Sequence, residues 1–171
     1  MTKAAHRDLI RIILGCSLLL GTSAAFAANS DPDWKEFLVP EFGTRVQYPA
    51  GIFSVLMGTS EVGTGQRLST PDERASLTIY ARANEAGETP ASYLRKNLRM
   101  PDATIQYRRI TPSFFAISAE HAGMIYYSRC NFGGLRGAAV HCFDLAYPQA
   151  EKRAWDAIVT RISLSLRPLR G

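Results

Sequence analysis

Histidine and cysteine are scarce, three of each in 171 residues, and that scarcity removes much of the usual catalytic chemistry. A catalytic zinc takes three protein ligands, and the chain has no H-x-H, H-E-x-x-H or aspartate-rich cluster to provide them. A serine hydrolase needs its nucleophile on a tight turn with His and Asp in reach, yet G-x-S-x-G is absent. Past residue 27 only His121 and His141 remain. His121 falls between two strand-like segments, and His141 and Asp144 lie on opposite faces of one strand. Both histidines read as ordinary polar residues. No C-x-x-C exists, so neither a dithiol redox motif nor a zinc ribbon is expected.

Other partial motifs fail for similar reasons. Gly58, Gly63 and Gly65 approach a phosphate-loop pattern, but a third glycine at the right spacing, a Lys-Ser/Thr pair and a following helix are missing. Glu36 with Glu41, or Asp72 with Glu73, could be drawn as carboxylate pairs. Glycoside hydrolysis, however, is set by their separation in space, and Asp72-Glu73 follows Thr70-Pro71 as a turn would. No basic run exceeds two residues, so nucleic acid is not an expected partner. No catalytic residue, cofactor site or metal site is therefore assigned, and a non-enzymatic role is expected.

What is present begins with an address. Lys3, Arg7 and Arg11 precede an uncharged stretch from Ile12 to Ala28, which contains Leu18-Leu19-Leu20 and closes on Ala25-Phe26-Ala27. That order is the pattern of a cleavable secretory signal, with cleavage between Ala27 and Ala28. Two alternatives stay open. One is a retained anchor, for which the stretch is short against the roughly 20 residues of a span. The other is lipid attachment at Cys16, because Ile13-Leu14-Gly15-Cys16 resembles a lipobox. Cleavage removes Lys3, Arg7, Arg11 and Asp8, which leaves 17 basic and 14 acidic residues and a net charge of +3. A periplasmic or secreted protein follows, with no transmembrane span after cleavage.

Export gives the remaining cysteines a meaning. Cys130 and Cys142 form an even pair in an oxidising compartment. Gly123–Phe132 and Ala138–Tyr147 read as strands, with Gly133-Gly134-Leu135-Arg136-Gly137 as the turn. If Cys130 and Cys142 face each other across this hairpin, its tip is Arg136, and a structural disulfide is expected.

Elsewhere, Trp34–Val39 is a short first element, and strands are expected at Thr44–Tyr48, Phe53–Met57, Gly65–Ser69, Ala75–Ala83, Thr104–Ile110 and Phe114–Ala119. In Ala75–Ala83, Leu77, Ile79, Ala81 and Ala83 alternate with Ser76, Thr78, Tyr80 and Arg82, the pattern of a sheet with one apolar face. Thr89-Pro90 opens a helix towards Arg99 with Tyr93, Leu94 and Leu98 inward. Gln149–Leu164 is a second helix, with Trp155, Ile158, Val159 and Ile162 on one side. Arg95, Lys96, Arg99, Arg108 and Arg109 could face an anionic envelope polymer, or be a set of solvated arginines. Tyr80, Tyr107, Phe114, Tyr126, Tyr127 and Tyr147 could pack a core, or make a platform for a small ligand or glycan.

The order of these elements gives an α+β fold, a mainly antiparallel sheet flanked by two amphipathic helices. It divides as signal peptide 1–27, N-terminal segment 28–41 and single domain 42–171. Three segments carry a resemblance: RVQYPAGIF (Arg45–Phe53), TPASYL (Thr89–Leu94) and the closing YP…WDAIVTRISLSLRP (Tyr147–Pro168). With them the chain resembles the PsbP-like sandwich, and the small exported proteins of Gram-negative bacteria that share the pattern. The resemblance implies a non-enzymatic accessory role and maps no site onto named residues. Three functions stay open: a periplasmic binding or accessory protein for an unknown envelope protein or ligand; a secreted inhibitor or surface interaction module; and a periplasmic hydrolase without a recognisable motif.

Overall fold

Period-two alternation is carried through into two antiparallel sheets in the computed structural model, which describes residues 32–97, 104–133 and 139–168. The signal segment with Cys16 and the Ala27–Ala28 junction, the helix residues Leu98 and Arg99, and the hairpin tip at Arg136 lie outside the described residues. Strand β1 (Trp34–Val39) leads through a 3-10 turn to β2 (Thr44–Pro49). Then come β3 (Val55–Thr59), β4 (Thr64–Ser69), β5 (Ser76–Ala83) and helix α1 (Pro90–Asn97). The second half holds β6 (Ile105–Ile110), β7 (Phe114–His121), β8 (Met124–Phe132), β9 (Ala139–Pro148), helix α2 (Lys152–Ser165) and the short β10 (Arg167–Pro168). The small sheet runs β1-β2-β10, and the seven-stranded sheet runs β3-β4-β5-β9-β8-β7-β6.

The large sheet is two hairpin ladders joined at β5–β9. After β5 the chain crosses through α1 to the far edge and returns strand by strand until β9 closes on β5. The β8–β9 register runs unbroken from Met124↔Pro148 to Phe132↔Val140 and sets Cys130 opposite Cys142. β1 is paired with β2 along all six residues, so residues 34–39 belong to the small sheet. No helix among the described residues is long and apolar enough to cross a membrane.

Two apolar clusters take alternate residues of the same strands. One joins Leu77, Ile79, Phe143 and Leu145 to Trp155, Val159 and Ile162 of α2. The other joins Val140, Cys142, Cys130, Phe115 and Ile117 to Tyr93 and Leu94 of α1. Trp155 stacks on Tyr147 (centroids 5.3 Å apart, 25° between planes) and tilts against Phe53 at 5.7 Å. Each such large side chain contributes roughly 1.5–3 kcal/mol by leaving water. The first turn of α1 is capped as its sequence implies: Ser92 N–H donates to Thr89 Oγ1 at 3.2 Å, and Thr89 N–H donates to Ser92 Oγ at 2.9 Å.

Several strand ends shift by one or two residues from expectation, and three differences have a physical cause. The strand expected from Phe53 starts at Val55, because Phe53 N–H closes a turn onto the Pro49 carbonyl (3.0 Å) and its ring enters the core beside Trp155. The helix expected from Gln149 begins as a 3-10 turn and becomes α-helical at Lys152. The tail after Ser165 adds a two-residue strand, pairing Arg167 with Arg45 and Pro168 with Thr44.

Candidate functional site

Next to α1 the sheet face carrying Cys142 is only partly covered, and a groove of about 650 Å³ opens on it. Its floor follows from register. Asp144 on β9 lies directly between Thr78 on β5 and Ser128 on β8, so three side chains with oxygen at their ends form one row across the sheet. Tyr80 and Tyr126 stand in the neighbouring rows of the same face. Arg82 lies over the Tyr93 ring at 5.7 Å and borders the groove.

Asp144 is the electrostatic centre of this groove. Burial raises its carboxyl above the ordinary carboxylate range, while the hydroxyls of Ser128 and Tyr80, directed at it, act the other way. Burial, with the negative Asp144 beside it, pushes the Tyr80 hydroxyl up strongly, so it remains a protonated donor. The arrangement offers the Thr78 hydroxyl as a donor, the hydroxyl oxygens of Tyr80 and Ser128 and the Asp144 carboxyl as acceptors, and an aromatic surface at Tyr126, which is 37% exposed. It is suited to hydrogen-bonding and stacking against a small polar molecule.

The disulfide lies under the same helix. Cys130 and Cys142 are joined, with Cα atoms 4.2 Å apart, and both are fully buried in the α1 cluster. On the opposite face, His141 is fully buried and bound at both nitrogens. Nε2 donates to the Gly133 carbonyl (2.6 Å), which can only accept, so Nδ1 accepts from the Thr44 hydroxyl (2.6 Å). Burial lowers its pKa, with the Gly133 bond opposing. His141 thereby ties β2 to the β8–β9 hairpin, and it does not converge with Asp144. His121 ends β7 at the surface.

The imagined carboxylate pairs are not brought together. Glu36 meets Arg45 at 3.6 Å, whereas Glu41 accepts from Thr64 at 3.0 Å. Asp72 accepts from Thr70 Oγ1 (2.6 Å) and from Arg74 (2.8 Å), and these bonds hold its carboxyl well below the usual range within the turn. Among the described residues no group of three or more His, Cys, Asp or Glu could hold a metal. The basic residues are dispersed: Lys96 pairs with Glu88 at 3.2 Å, and Arg108 and Arg109 are adjacent on β6 and so face opposite ways. The aromatic residues also divide. Tyr80 and Tyr126 share the Asp144 face, while Tyr107, Phe114, Tyr127 and Tyr147 take the other. Asp144 was legible only as the one charged residue inside the apolar run of β9.

No family model and no curated protein matches the chain. Among solved structures it is similar to the solution structure of the cyanobacterial PsbP protein, CyanoP, from Synechocystis sp. PCC 6803. The two are 9% identical with a TM-score of 0.60, over 87% of this chain and 100% of that one. At this identity the resemblance is one of fold alone.

Proposed function

We propose that the protein is an exported, extracytoplasmic binding or accessory protein, non-enzymatic, and built as a PsbP-like sandwich with a helix on each face of the large sheet. Its ligand is a small hydroxyl-rich molecule such as a glycan fragment, held in the groove beside α1. The observation that carries this reading is the row Thr78–Asp144–Ser128, flanked by Tyr80 and Tyr126 and open to solvent. Sugars are bound by such a combination of hydroxyl and carboxyl partners with a stacking ring. The buried Cys130–Cys142 bond supports an oxidising compartment, and the signal pattern of residues 1–27 supports export to the periplasm or beyond.

Two measurements test the reading. Mass spectrometry of the protein recovered from the envelope fraction should find a chain that begins at Ala28; an uncleaved or lipid-modified N-terminus would overturn that part. Titration with a panel of mono- and oligosaccharides should give saturable binding that Asp144→Asn and Tyr126→Ala each weaken. Binding that ignores both substitutions would move the site elsewhere, and turnover of a panel substrate would make the protein an enzyme.

A further inference from the structure

We propose that the groove between α2 and strands β6–β8 is a second binding site, for a small organic oxyanion. Its ligand is a carboxylate or phosphate on a flat apolar body, with Arg109 and Arg129 as the clamp. This groove lies on the face that carries Phe143 and Leu145, away from Asp144, and does not rest on the function proposed above. Its plan is a grid set by register. Ala116 on β7 has Arg109 on one side and Arg129 on the other. In the next row Ser118 has Tyr107 on one side and Tyr127 on the other. The small residues of β7 therefore floor a slot between two strands about 10 Å apart, walled by a tyrosine and an arginine on each side. Its volume is about 530 Å³, within the range of small-ligand sites.

Both arginines lie against one aromatic ring. Arg129 lies 4.4 Å and Arg109 5.4 Å from the centre of the one Phe114 ring. Arg129 is held in place, its Nε donating to Asn131 Oδ1 and its Nη1 to Ser163 Oγ, both at 3.0 Å. Among the described residues no carboxylate lies within 4.0 Å of either guanidinium. The acids that border the groove are engaged elsewhere: Asp156 with Lys152 at 2.8 Å, and Glu120 with Gln149 at 2.9 Å. Burial lowers the Arg129 pKa, Tyr127 opposes it, and the positive Arg109 adds to the lowering. A like-charge pair without a counterion is relieved by an anion placed between its members, and guanidinium forks match carboxylate and phosphate oxygens in a plane. Tyr107, 46% exposed, and Tyr127 supply flat walls for the rest of the ligand.

The test titrates the purified protein with phenyl phosphate, benzoate, inorganic phosphate and benzyl alcohol, followed by calorimetry and by the arginine side-chain NMR signals. The aryl anions should bind and shift the Nε signals of both arginines. Inorganic phosphate should bind about tenfold more weakly, and benzyl alcohol should not bind. Arg109→Ala, at an exposed strand position, should weaken the aryl anions about tenfold or more without loss of the fold. Arg129→Lys, which keeps the charge but loses the fork, should do the same. If Arg129→Lys fails to fold, Arg109→Ala decides alone. Asp144→Asn should leave this binding unchanged. Absence of saturable aryl-anion binding overturns the proposal, as does wild-type affinity in Arg109→Ala. Inorganic phosphate binding as tightly as phenyl phosphate would refute the flat-body part.

Discussion

Breaking the Cys130–Cys142 bond should cost the fold about 3 kcal/mol, and the figure follows from the length of chain it closes. The cysteines are 12 residues apart. Closing a loop of that size removes roughly 10 cal/mol/K from the unfolded ensemble, or about 3 kcal/mol at 25 °C. For a domain of this length the thermal midpoint should fall by roughly 10 °C on reduction. Both residues are fully buried among Tyr93, Phe115 and Val140, so a reductant reaches the sulfurs only when α1 or the hairpin opens. Urea unfolding of the oxidised protein, the reduced protein and the Cys130→Ala/Cys142→Ala variant separates the effects. The oxidised and reduced forms differ by loop closure, and the double variant adds the loss of two buried sulfurs from a packed cluster. The slope of stability against urea should steepen on reduction, because the unfolded chain expands once the loop is released. Equal stability of the oxidised and reduced forms would refute the reasoning.

Three further outcomes follow from single residues. His141 is held below its ordinary 6.5 by burial, so below about pH 6.5 the unfolded chain binds a proton that the native one refuses, and stability falls on acidification; urea midpoints across that range should show the loss, and His141→Gln should flatten it. Asp144 has the opposite sign: burial raises it above 3.8, so its contribution is full below that pH and lost as pH rises through the higher native value. Asp144→Asn should therefore raise the thermal midpoint at neutral pH, and an unchanged or lower midpoint counts against a desolvated carboxyl. A Cβ at Gly65 would fall on the Ile79 carbonyl oxygen, so Gly65→Ala should destabilise by roughly 2–3 kcal/mol or more in urea unfolding.

The strands were legible because their alternation is strict where one face is apolar. In β5, Leu77, Ile79 and Ala81 are buried as their spacing implies, and Cys130 with Cys142 fixed the β8–β9 register from the sequence. Gly65 shows the limit. It fitted a fragment of a phosphate loop, but its role is to let β4 approach β5, a contact between backbones that no side-chain pattern records. Phe53 read as the start of a strand because it is aromatic and followed by an apolar run, whereas its backbone closes a turn onto Pro49. Asp144 and Arg129 were passed over for a common reason. Each sits inside a strand, and its partners come from strands distant in sequence: Thr78 for Asp144, Arg109 for Arg129.

Both grooves trace to one shortage. Seven strands make a sheet about 30 Å wide, while a packed helix spans about 10 Å, the width of two or three strands. Among the described residues there is one helix of 8 residues and one of 14, roughly 12 and 21 Å long at the usual rise. α1 settles on β7 and β8, and α2 on β2, β8 and β9. The two helices therefore cover only part of the sheet's width, and side chains beside and beyond them must be compatible with water. One groove at a helix edge is lined by Thr78, Asp144 and Ser128, and the other by Tyr107, Arg109 and Arg129. The first set is acidic and rich in hydroxyls, and the second is cationic and aromatic. Water compatibility alone asks for neither a carboxyl raised by burial nor two arginines over one phenylalanine ring, and both arrangements cost the free protein energy that a bound ligand would return, by hydrogen-bonding the carboxyl in one groove and by neutralising the arginines in the other.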